Sequence, residues 1–85
     1  MYHIYVLISN ADNQFYVGFT NDLKTRLDSH AKGNVESTRN RRPLRLVYYE
    51  GCLNRDDALK RERYLKTTWG KRYIRNRIRN YMGLK

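Results

Sequence analysis

Two runs rich in β-branched and aromatic residues open the chain, Tyr2–Ile8 and Phe15–Thr20, with the polar stretch Ser9–Asn13 between them. Such runs suit the pleated, half-buried surface of a sheet and predict an antiparallel hairpin with a loop of roughly four or five residues. The period then changes. Leu23 and Leu27 stand at i, i+4 behind the capping side chains Asn21 and Asp22, which predicts a helix to about Ala31, stopped by Gly33. From Lys32 to Pro43 apolar residues almost vanish, and the segment reads as a basic loop. Leu44–Leu53 alternates as a third strand, with Gly51 marking a bulge or a close backbone approach. Asn54 caps a second helix that carries Asp56 and Asp57 in its first turn and buries Ala58, Leu59 and Leu65. Thr67–Gly70 breaks or bends it, and Lys71–Tyr81 resumes at helical spacing through Tyr73, Ile74, Ile78 and Tyr81. The pattern predicts a small α/β (α+β) fold, a three-stranded antiparallel sheet flanked by helices in the order β-β-α-β-α-α.

A length of 85 residues predicts one domain, 1–85, with a thin core. Charge changes the picture more than size does: 18 Lys and Arg against 8 Asp and Glu leave a formal +10. Such a surface attracts polyanions, nucleic acid or an anionic membrane, through the release of condensed counterions. No apolar run of about 18 residues exists, so no segment is expected to span a bilayer. The amino terminus lacks a charged-then-apolar leader pattern, and Cys52, alone, excludes an internal disulfide and a cysteine-rich zinc site. A cytoplasmic location is the expectation.

Several polar residues fall on stripes that should face inward. Arg26 and His30 lie three and seven positions after Leu23, beside the Leu23–Leu27 stripe. Arg26 is then either a snorkelling side chain at the core edge or a group aimed at a ligand, and His30 can also complement the helix dipole. Glu62 follows Ala58 and Leu59 on the second helix and is the only acid from Lys60 to Lys85. A carboxylate withdrawn from water needs a partner, an arginine such as Arg26 or a bound cation. In the hairpin, pairing from a loop at Ser9–Asp12 puts Tyr5 and Tyr16 on one sheet face, with Gly18 leaving room beside them. Two phenols side by side either pack or act. Trp69 either stacks on an exposed base or caps the core.

Together these residues resemble the GIY-YIG nuclease family. His3-Ile4-Tyr5 stands where the family has Gly-Ile-Tyr, and Tyr16-Val17-Gly18 matches Tyr-Ile-Gly. Arg26 follows eight residues after Gly18, His30 comes one helical turn later, and Ala58–Lys66 looks like the family's glutamate helix around Glu62. His3 replaces the leading glycine, and Asn76 is the match for the family's late asparagine. The closest likeness is to short single-domain members similar to the amino-terminal nuclease domain of the bacterial excinuclease C subunit.

The resemblance implies a divalent-metal-dependent endonuclease that hydrolyses phosphodiester bonds, in DNA ahead of RNA, with low sequence specificity and a role in DNA repair. It implies Tyr5, Tyr16, Arg26, His30, Glu62 and Asn76 as catalytic, with Glu62 holding one Mg²⁺ or Mn²⁺ ion. Tyr5 takes or relays the proton, its phenol lowered from about 10 by nearby positive charge. Arg39, Arg41, Arg42, Lys66, Lys71, Arg72 and Arg75 follow neighbouring phosphates. A targeting partner protein and a monomer or weak dimer complete the expectation. The rival reading is a non-catalytic nucleic-acid-binding module on the same scaffold.

Overall fold

The computed structural model describes residues 1–83. Its elements are β1 (Tyr2–Ser9), β2 (Phe15–Thr20), α1 (Leu23–Ala31), α2 (Glu36–Arg39), β3 (Leu44–Cys52), α3 (Arg55–Leu65) and α4 (Thr68–Arg77). The order β-β-α-β-α-α holds, with one short helical turn, α2, added inside the expected basic loop. All three strands are antiparallel and their order in the sheet is β2-β1-β3. The hairpin pairs Tyr5 with Gly18 and Leu7 with Tyr16. Ser9 belongs to the strand and its amide donates to the Gln14 carbonyl, so the turn starts one residue later than a Ser9–Asp12 turn, and the parity that puts Tyr5 and Tyr16 on one face is kept.

Alternation divides the sheet into two unlike faces. Ile4, Val6, Phe15, Val17 and Val47 point one way and form the apolar core with Ala58 and Leu65 of α3 and Ile74 of α4, joined by Ile78. Tyr5, Tyr16 and Gly18 point the other way, under α1 and α2. The bulge lies at Val47, between the pairs Val6–Tyr48 and Leu7–Leu46, while Gly51 pairs regularly with His3.

Helix ends follow side-chain chemistry. The Asp22 carboxylate accepts from the Thr25 amide and the Asn54 side chain from the Asp57 amide, each satisfying an orphan donor of a first turn. The break between the last two helices is only Lys66–Thr67, and Thr67 caps α4 by accepting from the Gly70 amide. Gly70 therefore lies inside α4. A Cβ there would overlap the Tyr64 carbonyl, so the missing side chain is what lets α4 start directly against the end of α3. Helix α4 ends at Arg77, short of the expected Tyr81, and of the four residues at helical spacing Ile74 and Ile78 are buried while Tyr73 and Tyr81 are exposed. Leu23 and Leu27 are only half-buried and contribute nothing to the core cluster; His30 is the buried residue of α1.

Candidate active site

Tyr5 sits mid-way along the central strand and is 0% exposed. A Cβ on its partner Gly18 would fall within the phenol ring, so glycine at that register position is what allows the ring to lie across β2. The hydroxyl accepts from Arg26 Nε at 3.3 Å and stands 2.8 Å from His30 Nε2. On its other side, His30 Nδ1 is 2.8 Å from Thr38 Oγ1. Arg26 and His30 are one turn apart on α1, so a single helix delivers both to the phenol.

His30 is 1% exposed, and burial, followed by the charge of Arg26, pulls its pKa down to about 4. The ring is neutral and carries one N–H. Which nitrogen holds it is assigned from the network. Arg26 donates to the phenol oxygen and so polarises its O–H, making it the better donor towards Nε2. That leaves Nδ1–H for Thr38. The opposite tautomer would leave the phenol proton, more acidic than an alcohol's, without an acceptor among the described residues. The chain Tyr5 O–H to His30 Nε2, then His30 Nδ1–H to Thr38 Oγ1, follows.

Tyr16 closes the cluster. Its ring centroid lies 6.4 Å from that of Tyr5 and 5.2 Å from that of His30, the latter edge-on. Beside Arg26 an open depression of about 360 Å³ is lined by Tyr2, Phe19, Thr20, Asn21 and Arg55.

Glu62 lies on α3 with its side chain 17% exposed, and it pairs with Lys66 Nζ at 3.4 Å. Its expected arginine partner, Arg26, is bound to Tyr5 instead. The carboxylate remains close enough for its charge to act on the Tyr5 phenol. The phenol itself is displaced in the direction opposite to expectation: burial raises its pKa above the ordinary value, outweighing the Arg26 hydrogen bond that lowers it. Asn76 is exposed on α4, and among the described residues no hydrogen bond joins it to the other five candidates. Five of the six residues are thus accounted for at or near Tyr5, and Asn76 is not among them.

The basic residues separate in the same way. The Arg41 fork is committed to Asp12, at 2.8 Å, and to the Gln14 carbonyl; it holds the Asp12 carboxyl down at about 2. Arg42 donates to the Arg39 and Ala31 carbonyls, and with Arg39 it lines a depression of about 470 Å³. Lys71, Arg72 and Arg75 line another, of about 290 Å³, on α4. Thr38 was not expected as a site residue. Its signal was Val35 and Thr38 at i, i+3 within the polar segment, both buried in the fold.

A family model described as the GIY-YIG catalytic domain matches residues 1–79. The chain belongs to the GIY-YIG family. It is 43% identical over 68 residues to a UPF0213 protein of Limosilactobacillus reuteri, covering 76% of this chain and 70% of that one. It is 34% identical to the UPF0213 protein YazA of Bacillus subtilis, over 75% of this chain and 66% of the relative. A UPF0213 protein of Bacillus halodurans solved by NMR in solution superposes with a TM-score of 0.55 at 29% identity, covering 87% of this chain and 82% of its own. Membership of a nuclease family points to a nuclease-type function with nucleic acid as substrate. Among the described residues no helix is long and apolar enough to cross a membrane.

Proposed function

We propose that this chain acts as a divalent-metal-dependent endonuclease of one domain over 1–85. On this reading it hydrolyses phosphodiester bonds in DNA ahead of RNA, with low sequence specificity, in the cytoplasm, as a monomer or weak dimer. The observation that carries the reading is the Tyr5 hydroxyl held between Arg26 and a neutral His30, a buried polar arrangement that phosphate binding alone does not require.

Among the described residues no three or more His, Cys, Asp or Glu side chains gather as a metal cage. The donor set at Glu62 fits a hard cation of another kind, Mg²⁺ or Mn²⁺, held by one carboxylate together with water and substrate phosphate. When bound, such an ion supplies Lewis-acid stabilisation of charge on the phosphate and leaving oxygens. Lys66, freed from Glu62, is then available to a neighbouring phosphate.

The protein's own groups do the rest. A water attacks the phosphorus in line and donates its proton to the Tyr5 oxygen, while the opposite P–O bond breaks and its electron pair leaves with the departing oxygen. Tyr5 passes its hydroxyl proton to His30 Nε2, and the resulting imidazolium keeps its Nδ1–H on Thr38. The relay needs no free phenolate, and because burial and Arg26 disfavour the imidazolium, His30 holds the proton only in passing. Arg26 presents its remaining donors to the phosphate oxygens in a planar fork. Tyr16 orients the phosphate or the water.

Incubating the protein with labelled DNA and RNA in single-stranded, duplex and branched forms, with Mg²⁺, Mn²⁺ or chelator, tests the proposal. Glu62→Ala and Arg26→Ala should abolish cutting while duplex binding persists. Full metal-dependent cleavage by Glu62→Ala would overturn it.

A further inference from the structure

Trp69 is the only tryptophan of the chain and stands 67% exposed in the first turn of α4. It does not cap the core. One face of its indole is covered by the Arg72 guanidinium, 5.0 Å from the ring centroid. Tyr64 and Tyr73 differ, since they share the Arg61 guanidinium and that charge is already spent on Glu50. Among the described residues Arg72 pairs with no carboxylate, and no acidic residue follows Glu62 in the chain. Arg72, Lys71 and Arg75 surround a shallow depression with Thr68 on the same helix. The surface therefore offers an aromatic plate with a cation on one side and uncompensated positive charge around it.

We propose that Trp69 is a stacking platform for an unpaired nucleic-acid base, with Lys71, Arg72 and Arg75 holding the phosphates that flank it. Inside a duplex each base face is covered by its neighbours, so an indole standing out from a helix meets an internal base only where that base has left its stack, and the occupant is single-stranded. An acidic peptide would satisfy the cations but would gain nothing from the indole. Lys66 is one helical turn beyond Glu62 and Trp69 three residues further. The two Cα atoms of Glu62 and Trp69 are therefore no more than about 18 Å apart, a few nucleotides of strand. Resting on the nuclease reading, the substrate class becomes nucleic acid with unpaired nucleotides near the cut, such as a flap, gap or loop.

Because the chain has one tryptophan, its fluorescence reports this residue directly. Titration with single-stranded oligodeoxythymidylate should quench the emission saturably, more weakly as salt rises, and oligouridylate in parallel separates DNA from RNA preference. Trp69→Ala should weaken single-strand binding about tenfold, measured by anisotropy of a labelled strand, with blunt-duplex affinity unchanged. Quenching as strong by blunt duplex or by polyglutamate, or an unchanged single-strand affinity in Trp69→Ala, would overturn the proposal. The same titration on Glu62→Ala keeps the two readings apart. Quenching in a chain that never cuts leaves the platform standing without the nuclease, and cutting without quenching removes the platform alone.

Discussion

The Tyr5 hydroxyl and His30 Nε2 lie 2.8 Å apart, and this bond joins the central strand to a helix that adds nothing to the apolar core. One face of the sheet is held to α3 and α4 by hydrocarbon. On the other, the side-chain hydrogen bonds between α1 and the sheet, among the described residues, are those of Arg26 and His30 to Tyr5, groups proposed to do chemistry. Residues that act at this site should therefore also matter for stability.

Tyr5→Phe keeps the ring and removes the hydroxyl. Single-turnover cleavage should fall by about 10²- to 10⁴-fold while duplex affinity stays near the parental value. Leaving the buried His30 Nε2 and the Arg26 donor unpaired should also cost about 1–3 kcal/mol, read as a lower melting temperature. Cleavage at the parental rate would remove the phenol from the mechanism.

Acid should weaken the fold in a defined window. His30 has an ordinary value of 6.5 when unfolded and about 4 when folded, so between these the unfolded chain binds more protons. The stabilisation is complete above 6.5 and is lost as pH falls towards 4, by up to about 3 kcal/mol. The Asp12 carboxyl, at about 2 beside Arg41, acts only at lower pH. Denaturant midpoints that stay level between pH 7 and pH 4, taken across about 0.5 pH steps, would contradict a neutral, buried His30.

Gly18→Ala places a methyl group where the Tyr5 ring lies. The ring or β2 must move, at a cost of about 1–3 kcal/mol, and cutting should be lost far beyond what that destabilisation explains. Measuring activity well below the melting temperature separates the two effects. A fully active variant would show that the phenol's present position is not required.

Thr38→Val retains shape but removes the hydroxyl that faces His30 Nδ1, whereas Thr38→Ser retains it. Imidazole ¹⁵N resonances should show the Nδ1–H tautomer in the parent and in Thr38→Ser, and a shift towards Nε2–H in Thr38→Val. In the relay, kcat should fall for Thr38→Val with KM little changed. A parent resonance pattern of the Nε2–H form would reverse the proposed direction of proton transfer.

The fold was legible where a period or a cap spoke for itself. The hairpin, the third strand and the capping residues Asp22 and Asn54 all appear where the pattern put them. Gly70 was misread because its role is close approach between two helices, which is invisible until both are placed. The site was legible as chemistry on the wrong face: Arg26, His30 and Glu62 stood out for being polar on apolar stripes. Their partners were read less well: Glu62 meets Lys66 one turn along, an i, i+4 pair that the spacing does display, whereas the contact of Thr38 with His30 is set by how α1 and α2 pack. The direction of the Tyr5 shift was missed for a related reason. A nearby cation can be inferred from spacing, but the completeness of burial that overrides it cannot.

Strand β1 is bonded on both edges, whereas α1 buries only His30, leaves Leu23 and Leu27 half-buried, and is bonded to the sheet by the side chains of Arg26 and His30. Amide protons around Tyr5 should then exchange with solvent deuterium only on global unfolding, and those of α1 through cheaper local opening. The phenol would be a fixed reference point in the molecule. The guanidinium beside it would ride on a segment free to breathe, opening a path for a phosphate without disturbing the strand that aims the base.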